Sequence, residues 1–519
     1  MSESSLQKDL KFLWDAEFLG VSDVTEEEDS LNRELNDFFE NTIRRKEYGR
    51  YVLSLPFKDN IASLGDNEQL LRSRLYLFIR KLKKRPLQLA AVDAEIQTYL
   101  DRGYAEEATP RREGQQAHYL PLQAVFKFKN DNSEIIKTRV VKDAGARMRD
   151  EPSLNDCLHQ GENLLPNVIK ILCSFRSGRY AITADIEKAF LQFEIAGSNR
   201  PFPRFLWPLG IQRYPAAPVR EFWTRVLDFG LICSPWLHIK GVRYHLGKCK
   251  RQFPEHAAFI EEVSEDLYID DVSFQADSLP DAERKIGLLF KIFGLAKFPL
   301  RKWATSDAKI AEMVRNMSPL ESTEITNDKS DAKFLGVKWV QGKDEIGVSV
   351  VKALTALGGE IPTRRSLLKG LATVFDPLGL LAPVTVRAKA MFQRLWRLKV
   401  DWDDTLPREI NLEYEKFVEL LRNNSLTSVP RGITGQFAAD RYELHASSDA
   451  SMEAYGCVIY LRTIHQRTAE TRFLMAKARV APNKCKWSIH RFGYTPDGKN
   501  GRSGFEVHQA QGGQKILLV

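Results

Sequence analysis

Cysteine is scarce in this sequence. Six occur in 519 residues, at 157, 173, 233, 249, 457 and 485, and none belongs to a C-x-x-C pair. That spacing argues against a zinc knuckle or a disulfide framework and leaves reduced, mostly buried thiols as the expectation. Long apolar runs are missing as well. GLLAPVTV, 379–386, is cut off by Arg387, far short of the ~20 residues of a membrane span. The opening MSESSLQKDLKFLW lacks the apolar centre of a signal peptide. No membrane partner is expected, and the chain reads as soluble and intracellular. No D-[ST]-G box is present, so aspartic peptidase activity is not expected. Acid is in deficit: 76 Lys and Arg face 68 Asp and Glu, a net charge of +8. Such a surplus permits a polyanionic partner without requiring one.

What is present is globular in composition, 43% hydrophobic and 28% charged, with length for two to four domains. Residues 31–104 read as charged amphipathic helices. One, LLRSRLYLFIRKLKKRP, should end at Pro86, and the next, VDAEIQTYLDRGYAEE, at Gly103. Between 119 and 145 the period changes. VFKFK alternates, NDNS turns, IIKTRVV alternates again, and a basic β-hairpin is expected. NLLPNVIKILCSF predicts a helix and YAITADIEKAFLQFEI a strand. DAERKIGLLFKIFG places Ile286, Leu289, Phe290 and Phe293 on one helical face, with Gly294 as the stop. Residues 364–402 read as helical, and ELHASSDASMEAYGCVIYLR as two strands about a small-residue turn. From 493 onward there is neither period nor apolar face, as in disordered or out-of-frame sequence. Strand pairs alternating with helices give an α+β fold class.

The chemistry concentrates in LYIDDVSF, 267–274, read as a hairpin with Asp270 and Asp271 at its tip. Adjacent carboxylates repel unless a cation offsets them. Magnesium does so with one or two carboxylates, water and substrate phosphates, and two such ions can promote in-line displacement at phosphorus. A further acid is then needed. Asp185, ending the apolar strand of TADIEKAF, is the candidate.

Several phrases in order resemble the reverse transcriptase region of BEL/Pao long-terminal-repeat retrotransposons: GRYVLSLPF, KTRVVKDAGA, PSLNDCLHQGENLLPNV, ADIEKAFLQFEI, TRVLDFGLICSP, YIDD, LRKWATS, FLGVKWV, FDPLGLLAPVTVRAK and ELHASSDASMEAYG. The resemblance covers roughly residues 9–487 and implies a right-hand polymerase: an RNA-directed DNA polymerase adding deoxynucleotides to a DNA primer on an RNA template. The implied layout is a helical extension over 1–105, fingers and palm over 106–280, a thumb-like region over 281–360 and a connection over 361–435. A truncated ribonuclease H-like segment over 436–492 and the tail 493–519 follow. Two Mg2+ ions, or Mn2+, would be held by Asp185, Asp270 and Asp271, the last as the weaker ligand. Phe190 would lie under the incoming sugar and select deoxynucleotides. Lys137 and Arg139 would meet the triphosphate, with Phe229 and Gly230 in the loop beneath it. Tyr268, Arg301, Lys302 and Trp303 would hold primer and template, Trp303 being either buried or stacked. The implied setting is the cytoplasm, in virus-like particles, or the nucleus, beside other parts of the polyprotein.

The sequence also departs from the family pattern. Lys142 stands where an aromatic is usual, and NRPFPRFLW and RVLDFGL are locally altered, the latter as if by one insertion. Asp449 in SSDAS resembles the first acid of a ribonuclease H site. After RVAP, however, the helix that should bring the second acid is replaced, and ribonuclease H activity is not expected. A Cys-His knuckle and an integrase-type His/Cys cluster are absent. A catalytically inactive nucleic-acid-binding remnant is the alternative reading.

Overall fold

The computed structural model describes residues 26–111, 116–129, 134–148, 151–318, 325–326, 332–359, 361–434, 440–466 and 468–481, with two-residue strands at 505–506 and 517–518. The charged start, the NDNS turn, Cys485 and all of the tail except those two strands lie outside the described residues.

Helix α1 (Glu26–Thr42) sends Leu35 and Phe39 into the main core. Helix α2 (Glu68–Lys83) buries Leu71, Leu75, Ile79 and Leu82, the spacing of one helical face. It stops at Lys83. Pro86, expected to end it, instead opens α3 (Pro86–Asp101), where a missing N–H costs nothing. Gly103 follows α3 at φ +66°, as a helix stop does. After β1 (Ala105–Glu107) come β2 (Leu122–Phe128) and β3 (Ile135–Lys142), paired antiparallel as the alternating pattern requires. On one face of this hairpin Val125 opposes Arg139 and Lys127 opposes Lys137.

Helix α4 (Val168–Ser177), capped by the Asn167 side chain, leads into β4 (Tyr180–Ile186). Strands β5 (Arg204–Pro208) and β6 (Val219–Thr224) join β1 in a small sheet, and α5 (Ser234–Gln252) and α6 (Ala257–Asp266) follow. The sheet that matters most combines β4 with β7 (Asp271–Ala276), which follows α6. After α7 (Leu279–Leu295) the chain adds β8 (Leu300–Thr305) on the far side of β4. Both neighbours run antiparallel to β4, and Ile325–Thr326 extends the sheet beyond β8. Because β8 completes this layer and α7 buries Ile286, Leu289 and Phe293 against it, a boundary at 280 falls inside one packing unit. Helix α7 also passes Gly294, and the left-handed turn comes later, at Lys297 (φ +59°).

One local expectation is corrected. LYIDDVSF turns back at Ile269–Asp270 through a single antiparallel bridge between Tyr268 and Asp271, but no full strand precedes the turn, because AFIEEVSED buries Phe259, Ile260 and Val263 as the helix α6. Only Leu267–Ile269 separate that helix from the acids. The turn is closed by paired backbone bonds between Tyr268 and Asp271, and the strand beside β7 is β4, from far earlier in the chain.

After α8 (Ala308–Met317), strands β9 (Ala332–Phe334), β10 (Val337–Val340) and β11 (Glu345–Ser349) begin a second antiparallel sheet. Helices α9 (Val351–Leu357), α10 (Arg364–Ala372), α11 (Ala382–Arg397) and α12 (Arg408–Asn423) share their own core before β12 (Leu426–Pro430) returns to that sheet. Strands β13 (Arg441–Ala450), β14 (Ala454–His465) and β15 (Thr468–Val480) form a third. Arg431, 1% exposed, clasps the units together. It donates to Asp344 at 2.8 Å and to the carbonyls of Phe175, Gly178 and Arg179. Arg176 likewise reaches Phe473 O at 2.6 Å and Leu474 O at 2.9 Å on β15. Each buried guanidinium meets several acceptors, which offsets its loss of water. All five described cysteines are free, and no helix among the described residues is long and apolar enough to cross a membrane.

Candidate active site

Three acids converge although 84 positions separate Asp185 from the turn. Asp271 is the first residue of β7 and pairs across the sheet with Asp185 on β4; Asp270 precedes it in the turn, its carbonyl accepting from Ile186 N at 2.8 Å. Burial, then the Asp270 and Asp185 charges, push the Asp271 carboxyl up to about 7. Burial and Asp185 also raise Asp270, against the pull of Lys302 and Arg139. The site is therefore a pocket of crowded carboxylates.

Cations surround it. Lys302, from the neighbouring strand β8, makes an ion pair with Asp185 Oδ2, while Asp185 Oδ1 is buried with no hydrogen-bond partner. Arg301 pairs with Glu187 at 2.7 Å. Trp303 is 1% exposed, its ring 5.0 Å from that of Phe290, so it lies in the core. Of the two hairpin cations, Arg139 pulls on Asp270, and Lys137 responds to Lys302 and Asp185. Partial burial, then Arg139 and Lys302, lower the Lys137 ammonium below its usual pKa. Lys127, directly opposite Lys137, adds a third cation to that face. Opposed lysines repel across a strand pair, an arrangement that an anion between them relieves.

Two aromatics pack against each other after β4. Phe190 follows β4 in a short 3-10 turn, and its ring meets that of Phe229 edge-on at 5.0 Å. Phe229 is 39% exposed. Next to it Gly230 has φ +107°, and an added Cβ would lie 1.9 Å from Lys142 O, so glycine is required there. The close approach is to the chain's own β3.

Sequence reasoning missed four groups that shape this site. Lys142 and Asp228, each 2% exposed, form a buried ion pair joining β3 to the loop at 229. The Lys142 ammonium also lies over Tyr99 at 4.7 Å. Asn155 straps the same loop, donating to Gly230 O and accepting from Ile232 N, both at 2.9 Å. His238 sits beneath the turn, its Nε2 donating to Ile269 O at 2.9 Å. Lastly, the β9–β10 turn shares with Asp271 a cavity of about 560 Å³, lined by Tyr268, Leu335, Gly336, Phe375, Lys389 and Ala476. The phrases holding Lys142, Asp228, Asn155 and the β9–β10 turn stood out in the sequence, whereas His238 did not. The pairings themselves carried no sequence signal.

Asp449 lies far down the chain, exposed on β13, its Oδ1 accepting from Ala450 N. Among the described residues no group of three or more His, Cys, Asp or Glu side chains is gathered to hold a metal ion. Even so, the donor set at Asp185 suits a divalent cation: one carboxylate oxygen is buried and bare, the other carries an ammonium, and two more carboxyls crowd beside it.

Residues 363–494 match the family model described as a Pao retrotransposon-like RNaseH-like domain. That unit spans both segments separated above at 435. No curated protein matches the chain. Among solved structures, a foamy viral protease-reverse transcriptase dRH in complex with double-stranded DNA is similar at TM-score 0.50 and 15% identity, covering 92% of this chain and 68% of that one. A foamy viral protease-reverse transcriptase in complex with an RNA/DNA hybrid is similar at TM-score 0.46 and 14% identity, covering 92% of this chain and 52% of that one. The first likeness gives a mixed α+β fold of the reverse-transcriptase kind. The Pao-type similarity thus rests on residues 363–494, and the first structural likeness speaks to the fold.

Proposed function

We propose that the chain is the reverse transcriptase portion of a Pao/BEL-type retroelement polyprotein, an RNA-directed DNA polymerase with Asp185, Asp270 and Asp271 at its centre. The observation that carries the reading is the pairing of Asp185 with Asp271 across β4 and β7, beside the cations of the β2–β3 hairpin. In the reaction a primer 3′-hydroxyl oxygen attacks the α-phosphorus of a deoxynucleoside triphosphate. The bond to the bridging oxygen breaks and pyrophosphate leaves.

In this reading β4, β7 and β8 make the palm, the β2–β3 hairpin belongs to the fingers, and the region after 306 supplies thumb and connection. Asp185 and Asp270, assisted by Asp271, would hold magnesium once the Lys302 ammonium moves aside. Bound there, magnesium would activate the attacking hydroxyl and neutralise phosphate charge. Lys137 and Arg139 orient the triphosphate and offset charge on its oxygens. Phe190, steadied by Phe229, closes the space that a 2′-hydroxyl would need. The β9–β10 turn, which shares the Asp271 cavity, is better placed to hold the primer end than Arg301 or Trp303, which are engaged with Glu187 and the core. RNA template, DNA primer and deoxynucleotides are the partners in this reading.

Magnesium-dependent extension of a DNA primer on RNA tests it. Wild-type protein should extend, and Asp270→Asn should bind primer–template without extending. Extension that survives the substitution removes the proposal. The second reading, an inactive nucleic-acid-binding remnant, draws on the Lys302–Asp185 ion pair, which occupies one oxygen of the acid cluster. It predicts salt-sensitive binding and no extension by the wild type.

A further inference from the structure

Ile269 stands between Tyr268 and the two acids with φ +55°. A β-branched side chain is strongly disfavoured in that left-handed region, so the surrounding structure must hold the turn in place. Part of the restraint is local: the two bonds between Tyr268 and Asp271 and the bond from Ile186 N to Asp270 O. None of these reaches the carbonyl of Ile269 itself. That oxygen accepts from His238 Nε2 at 2.9 Å.

His238 lies on α5 with no exposed surface, and its Nδ1 is buried without a partner. A carbonyl can only accept, so the proton sits on Nε2 and the neutral ring has one fixed tautomer. The same ring meets Phe190 edge-on at 5.2 Å, with an interplanar angle of 81°, and Phe193 at 5.6 Å. One side chain thus touches both the strained residue beside the acids and the aromatic beside the sugar position.

We propose that His238 is a positioning residue that locks the Ile269–Asp270 turn and the Phe190 ring into one arrangement, so that placement of the acids and choice of sugar are set together. This rests on the polymerase reading of the site. A leucine at 238 fills similar volume but donates nothing, whereas a glutamine keeps an N–H within reach of Ile269 O. In this scheme the turn loosens in His238→Leu and Phe190 gains freedom to tilt.

Hydrogen exchange of the 268–272 amides, which needs no activity, is the first measurement. His238→Leu should speed exchange of the Asp271 amide about tenfold, the worth of one buried hydrogen bond, and His238→Gln should restore most of the protection. Primer extension is the second. His238→Leu should lower kcat for deoxynucleotides and narrow the preference over ribonucleotides severalfold, with primer–template affinity unchanged. If His238→Leu does not fold, His238→Asn, too short to reach the carbonyl, replaces it. Unchanged exchange at the turn, or a glutamine variant no better than leucine, overturns the proposal. Exchange that depends on His238 in a protein that extends no primer upholds the anchor and removes the polymerase reading.

Discussion

Lys142 and Asp228 pair with each other inside the protein. The ammonium comes from KTRVVKDAG and the carboxylate from RVLDFGL. Together they tie β3 to the loop bearing Phe229, where Gly230 touches Lys142 O. A buried charge without its partner is costly, so each charge is tolerated through the other.

Removing one member should therefore be worse than removing both. Lys142→Met leaves the Asp228 carboxylate buried and unpaired, and should cost about 3–5 kcal/mol. Lys142→Met with Asp228→Asn should recover much of that loss. Chemical denaturation of the double-mutant cycle measures the coupling, and additive losses would show that the pair contributes nothing.

The acid cluster predicts a pH dependence of stability. Asp271 holds its proton up to about 7 when folded, against an ordinary value of 3.8. Between those limits the folded chain binds more protons than the unfolded one, so stability falls as pH rises through that window. Thermal unfolding without divalent ions should show Tm declining from pH 5 to pH 7.5. Asp271→Asn should flatten the decline, and an unchanged slope would count against the crowded-carboxylate site.

Gly379 tests the docking of the third sheet. Its φ is +75°, and an added Cβ would lie 1.9 Å from Ala476 O on β15. Ala476 N in turn donates to Leu378 O at 2.8 Å. Gly379→Ala should cost about 1–3 kcal/mol through backbone strain alone and raise hydrogen exchange at Ala476. Retained protection there would mean the contact is not needed for docking.

The hairpin cations should act on nucleotide binding rather than on folding. Lys137→Ala and Arg139→Ala are each expected to raise the KM for deoxynucleotide about tenfold or more, the worth of one charge-assisted contact, with Tm little changed. Lys127→Ala relieves a like-charge pair and should be neutral or mildly stabilising in nucleotide-free protein. Titrations of extension rate against nucleotide, beside unfolding curves, separate these effects.

Elements with a complete local signal were legible. The alternation in VFKFK and IIKTRVV gave the hairpin, and the spacing of Ile286, Leu289 and Phe293 gave α7. LYIDDVSF keeps the turn of the expected hairpin but lacks a full first strand, because the apolar residues of the preceding AFIEEVSED fit a helix better than a strand, and their period decides the matter. Pro86 was misplaced because proline both ends one helix and begins the next. Arg176 and Arg431 gave no warning at all. In sequence they are ordinary basic residues, and only packing turns them into buried clasps.

The sequence by itself determined the inventory: acids in two short phrases, a basic hairpin, a glycine where φ is positive, and ordered phrases that resemble those of a retroelement. Such features follow from side-chain chemistry and from periods of two and 3.6 residues, which act over a few positions. Tertiary structure alone decided which strand would lie beside the YIDD turn, that Lys302 would sit on Asp185, and that His238 would reach Ile269. Those contacts span tens of residues or more, and their partners are chosen by how whole helices and sheets bury their apolar faces, which no local pattern encodes.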